Sequence, residues 1–295
     1  MKFEKLLFDT RFGQYGLNSL MAYLELKKAG LKEVVLTYII PQEDVAFVPY
    51  GGYLKAEEKR IREEARIRFE DWQKSIAPLG IESKIRIETG NVPSSILDIA
   101  EEEGVDLIVV GRKERTAFEK VYVGSHILDI LRRSEIPVFM GKYMVQFESE
   151  GTVLTRTNDD IYQRPLLATD WSEPSENALK ALLSFGSACE EILVAHIIGT
   201  KISTGLNDST LKKLEDESKK RLKAYCQMIS DAGIKAQSIL SAGKTFTEII
   251  KLSRARKATM IAMGRTGNDW FQEYWLGGVS HRIAELSELP VLLVP

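Results

Sequence analysis

The sequence predicts an α/β protein: two doubly wound, five-stranded parallel-sheet domains in tandem, Rossmann-like in layout. Three observations predict it. The chain has 295 residues, more than the roughly 100–200 of one ordinary domain. It is 44% hydrophobic and 28% charged, which supplies real cores and excludes a disordered or low-complexity chain. It also repeats itself. Gly90 and Gly243, Gly111 and Gly264, Gly124 and Gly277, and Pro137 and Pro290 each stand 153 positions apart.

The repeat runs without a gap from Gly90 to Met140. Nearer the start, Asn18-Ser19-Leu20 matches Asn177-Ala178-Leu179 at a spacing of 159, so half one carries six extra residues. The loop Pro41–Leu54, rich in Pro, Gly and aromatics, is the natural place for them. It reads as a surface excursion, or as a lid or a contact with the other half.

The elements follow in the same order in both halves. In half one, Lys5–Phe8 is a short apolar strand and Leu17–Ala29 a helix. Glu33–Ile40 is a β-branched buried strand. Ala56–Ile76 is a long charged helix, with Ile61, Ala65, Phe69 and Trp72 at helical spacing. Glu82–Glu88 alternates as a strand. Helix Ser94–Glu102, strand Leu107–Val110, helix Val123–Arg133 and strand Val138–Gly141 complete the half. In half two the strands are Leu166–Thr169, Ile192–Ile197, Lys235–Leu240, Met260–Met263 and Val291–Val294. Its helices are Ser175–Phe185, Leu211–Asp231, Thr247–Arg254 and Val279–Leu286. Such alternation means a parallel sheet covered by helices on both faces. The domains are read as 1–146 and 164–295, joined by a polar linker without clear period at 147–163.

Charge and targeting narrow the function. Lys plus Arg is 40 and Asp plus Glu 42, a formal net charge of −2. No strong global field exists to gather nucleic acid or an anionic membrane, so neither is an expected partner. Mixed-sign runs such as EEKRIREEAR are solvated helix faces. The N-terminus has no signal-peptide pattern and no apolar run approaches the ~18–20 residues of a membrane span. A cytoplasmic setting is expected. Cys189 and Cys226 lack CxxC spacing and read as buried free thiols.

In a doubly wound sheet, ligands bind beyond the carboxyl ends of the strands where strand order reverses. In half two the loops there are ATDWSEPSEN and MGRTGNDWFQEYWLGGVSH. The second carries Gly264-x2-Gly267-x9-Gly277-Gly278-x-Ser280. Glycines let backbone N–H groups approach phosphate oxygens, and the next helix offers its N-terminus to an anion. Asp170 can accept hydrogen bonds from a base or ribose. On physics alone, plain turn glycines are an equal reading.

These loops, the element order and the repeat together resemble the universal stress protein family in its tandem form, with its adenine nucleotide alpha hydrolase-like fold. The family's ATP-binding members carry G-x2-G-x9-G-[ST] after the fourth strand and an Asp ending the first. KLLFDTRFGQYGLNSL and RPLLATDWSEPSENAL resemble its opening strand and helix, and IPVFM and LPVLLVP its last strand. The resemblance implies a stress-response sensor or chaperone-like regulator that binds ATP or AMP, with Mg2+ as an accessory. It implies a nucleotide set of Asp170, Ile198, Gly264, Arg265, Gly267, Gly277, Gly278 and Ser280 in half two. It further implies that the halves pair through their last strands, and it allows a homodimer.

The halves match the family unequally. Half two departs at Gly278, where the family has Ser or Thr; Ser280 can supply a hydroxyl. Half one retains Gly111, Gly124 and Ser125, but Arg11 replaces the Asp and Glu114 the second glycine. Asp9 stands two residues early. Glu114 would set a carboxylate near phosphate. Half one is therefore expected to be degenerate.

Other signals are weaker. SILSAGKT (Ser238–Thr245) ends like a P-loop but lacks its first glycine. His126, His196 and His281 show no metal spacing and no Ser-His-Asp set is readable, so no catalytic or metal residue is assigned. Trp270, Tyr274 and Trp275 read as packing residues of the loop, with a stacking platform as the alternative. The rival functions are a slow ATPase or nucleotide-dependent enzyme on the same fold, and an interaction protein without nucleotide.

Overall fold

The computed structural model describes residues 1–13, 16–47, 52–111, 125–141, 144–149, 152–200, 207–267 and 278–295. Half one runs β1 (Lys5–Asp9), α1 (Gly16–Leu24), β2 (Glu33–Pro41), α2 (Gln42–Val45), β3 (Ala46–Phe47), β4 (Gly52–Tyr53) and α3 (Lys55–Ile76). It continues through β5 (Glu82–Gly90), α4 (Val92–Glu103), β6 (Leu107–Gly111), α5 (Ser125–Arg133) and β7 (Val138–Gly141). A hairpin, β8 (Met144–Ser149) and β9 (Thr152–Thr157), leads to half two. There follow β10 (Pro165–Ala168), α6 (Glu173–Leu183), β11 (Glu191–Gly199), α7 (Asp208–Asp231) and β12 (Lys235–Gly243). The chain ends with α8 (Thr245–Ala255), β13 (Met260–Gly264), α9 (Gly278–Leu286) and β14 (Val291–Val294).

Local chemistry marks these boundaries. Asn91 caps α4 by accepting from the Ser94 amide at 3.2 Å, and Gly104 ends it at φ +60°. Asn207 caps α7 the same way through Thr210, at 2.9 Å. Strand residues alternate between faces: Leu6 and Phe8 enter one core, Leu7 the other.

The two expected sheets are one. Ten strands run in the order β12-β11-β10-β13-β14-β7-β6-β1-β2-β5. All pairs are parallel within a half, and β14 meets β7 antiparallel, with Leu292 opposite Phe139. The last strands thus join the halves, as the resemblance implied. Strand order reverses between β1 and β6 and again between β10 and β13.

The cores on both faces of the sheet cross this seam. On one face an aromatic run joins the halves: Tyr23 to Phe139 at 5.1 Å, Phe139 to Tyr162 at 6.1 Å, Tyr162 to Phe185 at 4.8 Å. The Tyr162 hydroxyl donates to the Tyr23 carbonyl at 3.2 Å. This corrects the reading of 147–163 as a bare linker. Its first part enters the β8–β9 hairpin, and Ile161 and Tyr162 are buried in the common core. The excursion Pro41–Leu54 also has structure: α2 and the β3–β4 pair, anchored by buried Val45 and a Leu54 N–H to Val45 carbonyl bond of 2.9 Å.

Candidate functional site

The site of half two is built where β10 ends. The Thr169 hydroxyl accepts from the Trp171 amide at 3.1 Å. This holds Trp171 in the left-handed region at φ 67°, rare for a bulky residue. The turn sets Asp170 between the strand end and α6. Asp170 Oδ1 accepts from Ser172 N at 3.1 Å and Ser172 Oγ at 2.6 Å. Ser172 in turn caps α6, accepting from the Ser175 amide at 3.4 Å.

The glycine loop closes against this turn. A Cβ on Gly267 would lie 2.5 Å from Asp170 Oδ2, and one on Gly264 2.8 Å from Pro174 Cβ and Ser175 N. At Gly264 the neighbour is backbone and glycine is required, whereas at Gly267 a side chain would have to displace the carboxylate. The fold therefore brings Asp170, Gly264, Gly267 and the N-terminus of α6 together at the strand-order reversal. Gly278 opens α9 and is exposed; among the described residues, a Cβ there would meet nothing within 4 Å. Ser280 is buried, and its hydroxyl donates to the Arg265 carbonyl at 2.6 Å. Ile198 lies buried in β11, level with Ala242 of β12. Gly277, Trp270, Tyr274 and Trp275 fall outside the described residues.

The Arg265 side chain is turned toward half one. Its Nη1 donates to the Ser134 carbonyl, just beyond α5 in half one. Burial lowers its pKa, with Glu135 acting in the opposite direction. The side chain serves the seam, and only its backbone belongs to the glycine loop.

Aromatic and cationic groups complete the mouth. His196 Nδ1 lies 2.8 Å from the Thr169 carbonyl, so that nitrogen carries the proton and donates. Burial lowers the His196 pKa and favours the neutral ring. Trp171 packs on His196 at 4.7 Å and meets Tyr225 edge-on at 5.3 Å. The Arg221 guanidinium lies over Trp171 at 5.8 Å.

Half one repeats this scaffold. The Thr10 hydroxyl accepts from the Phe12 amide at 2.9 Å, and Phe12 is left-handed at φ 54°. Phe12 stacks on Tyr38 at 5.2 Å, meets Trp72 edge-on at 5.3 Å and carries Arg68 over its ring at 5.2 Å. Apart from Trp72, read only as a helix-face residue, these escaped the sequence reading, although the repeat held the signal. Arg68 and Arg221, and Trp72 and Tyr225, stand 153 apart, and Phe12 and Trp171 159 apart.

The residues beside the turn differ. Arg11 is exposed and lies over the Tyr38 ring at 5.7 Å. Asp9 is half-buried, with Oδ1 shut off from solvent and, among the described residues, without a hydrogen-bond partner. Burial pushes its pKa up to about 6, against the pull of Arg11. Beside it lies buried Thr37. Half two has Ala168 and Ala195 in this register. Gly111 ends β6, and Ser125 is the exposed first residue of α5. Glu114 and Gly124 lie outside the described residues.

The P-loop look-alike dissolves: Ser238–Gly243 is strand, paired along β11, and Lys244 is the cap residue of α8. His126 is exposed on α5 and His281 half-buried on α9. Cys189 is buried, which pushes its thiol up to about 12. Among the described residues, no group of three or more His, Cys, Asp or Glu is placed to hold a metal, and no helix is long and apolar enough to cross a membrane.

Comparison with known proteins follows the two halves. The model of the universal stress protein family matches residues 20–142 and again 162–295. A universal stress protein of Methanocaldococcus jannaschii is 30% identical over 154 residues, covering 45% of this chain and 95% of its own length. The crystal structure of a universal stress protein from Archaeoglobus fulgidus aligns over 100% of this chain and 99% of its own, with a TM-score of 0.73 at 19% identity. A universal stress protein solved in complex with cAMP matches 45% of this chain and 96% of its own, at 19% identity and a TM-score of 0.34. With two family domains sharing one sheet, the chain belongs to the universal stress protein family and is a tandem member of it.

Proposed function

We propose that the chain binds an adenine nucleotide, ATP or AMP, in its second half, and acts through that occupancy as a stress sensor or chaperone-like regulator. One observation carries the reading: the approach of Gly267 to Asp170, where a Cβ would lie 2.5 Å from the carboxylate oxygen and force it aside. A carboxylate held by Ser172 on one oxygen has its other oxygen toward Gly267. The carboxylate accepts from ribose or base, and the loop amides and the start of α9 take phosphate. Gly278 contributes space and a backbone amide, and Ser280 stiffens the loop through the Arg265 carbonyl. Mg2+ enters, on this reading, with the phosphates, since no protein cluster for it is described.

Half one is the non-binding half. Arg11 stands where half two has the acceptor Asp170, and Asp9 adds a negative charge beside the cleft. The domains divide at 1–146 and 164–295, with 147–163 between and the boundary at 146 falling within β8 of the hairpin.

The test uses the full chain, because the halves share one sheet and one core. Calorimetric titration with ATP and with AMP, with and without Mg2+, is expected to give one site per chain. Asp170→Ala should weaken it at least about tenfold, the loss of a charge-assisted hydrogen bond. Two equal sites, or a site indifferent to Asp170→Ala, would overturn the assignment. Phosphate release in the same samples separates a binding module from a slow ATPase.

A further inference from the structure

A half that has lost its ligand contacts but kept its fold still touches the glycine loop of the other half at Arg265. The backbone of Arg265 is fixed within half two. Its amide donates to the Val294 carbonyl at 2.7 Å, and its carbonyl accepts from Ser280 at 2.6 Å. Its side chain leaves half two and donates to the Ser134 carbonyl of half one. That carbonyl belongs to the end of α5, where helix carbonyls carry partial negative charge that suits a guanidinium.

The receiving turn is firm. Ser134 is buried, its amide donates to the Ile130 carbonyl at 2.9 Å, and its hydroxyl bridges the amide and carbonyl of Ile136. Ile130 is buried under the sheet. The opposite end of α5 begins at Ser125, next to the glycine segment of half one. One short helix therefore runs from the cleft of half one to the loop of half two.

The loop it reaches lies against the site carboxylate. Gly267, two residues after Arg265, packs so close to Asp170 that a Cβ would sit 2.5 Å from its carboxylate. A shift of α5 moves the Ser134 carbonyl, Arg265 with it, and the gap between Gly267 and Asp170. We propose that half one is the regulatory half of the molecule, setting the nucleotide affinity of the half-two site through α5 and the Arg265–Ser134 contact. The affinity claim rests on the nucleotide reading above; the mechanical link between α5 and the loop does not.

The experiment uses the full chain in four forms: wild type, Ile130→Ala, Arg265→Ala and the double variant. Ile130→Val replaces Ile130→Ala if the latter fails to fold. ATP affinity by calorimetry and amide exchange of the ligand-free protein are both measured. Loosening α5 through Ile130 is expected to weaken ATP binding about fivefold, a typical coupling between sites. It should also speed exchange at residues 260–267. In the Arg265→Ala background, the Ile130 change should do neither, since the connection is already cut. If Ile130→Ala leaves both affinity and exchange at 260–267 unchanged, or if the two variants act additively, the proposal fails. Should ATP not bind even the wild type, the nucleotide reading and this inference as stated fail together. Exchange at 260–267 then still decides whether Arg265 transmits from half one.

Discussion

Half one and half two build the same left-handed aromatic turn after their first strands, and they differ in what stands beside it. In both, a threonine hydroxyl holds the turn, and an aromatic and an arginine from the long helix cover it. In half two the neighbours are Ala168, Asp170 and Gly267; in half one Asp9 and Arg11 replace the first two. The scaffold is thus separable from the residues beside it, and half one has kept the first while changing the second.

The far ends of the halves differ as well. Glu103, at the end of α4, receives Lys5, Lys84 and Arg86, and these cations hold its carboxyl at about 2, well below the usual range. The matching position of half two, 153 residues on, is Arg256.

The largest expected effect tests whether the halves are thermodynamically separate at all. Tyr162→Ala removes the ring that bridges them and should cost ~3–5 kcal/mol. Thermal melting followed by fluorescence and by exchange should show both halves lost in one transition; two separated transitions would break the single-core picture. Next comes the loop. Gly267→Glu copies the residue of half one into half two, and it meets Asp170 at contact distance. Titration should show nucleotide binding abolished, at a stability cost of roughly 1–3 kcal/mol.

The third prediction sets the pH profiles of the halves apart. Asp9 has its pKa raised from 3.8 to about 6. Its contribution to stability is full below about 3.8 and is lost as pH rises through about 6, which works against half one at pH 7 by ~1–3 kcal/mol. Glu103 acts oppositely: its contribution is full above 4.5 and is lost as pH falls toward about 2. Asp9→Ala should stabilise the protein at pH 8 and leave pH 4 unchanged, read from denaturant midpoints. Glu103→Gln should cost about 1 kcal/mol at pH 7 after allowance for solvent screening of its partly exposed partners. The smallest effect is a repair. Gly278→Ser restores the family's hydroxyl where there is open space, and ATP affinity should rise a few-fold with little change in melting temperature.

Much of the architecture was legible because burial leaves periodic marks. The core strands and covering helices follow from β-branched runs and helical spacing, and the 153-residue repeat doubled each signal. Asp170, Gly264 and Gly267 were legible as motif positions. Trp171, Arg221 and Tyr225 were not, because their contact joins residues far apart in sequence. The 147–163 segment misled because a hairpin of mixed polarity has no strong period, and the buried pair Ile161–Tyr162 is too short to show one.

By itself, the sequence determined the two-fold repetition of one α/β design and the unequal pocket residues of its copies. Those are properties of residue identity and spacing, which any alignment of the halves preserves. The resemblance implied pairing of the last strands; only the tertiary structure decided that the cores on both faces cross that seam. It also decided where Arg265 points. Its charge and place in the loop suit a phosphate, yet the fold offers it the carbonyl end of α5. A side chain bonds to what folding brings within a few ångströms, and in this chain that partner lies 131 residues away.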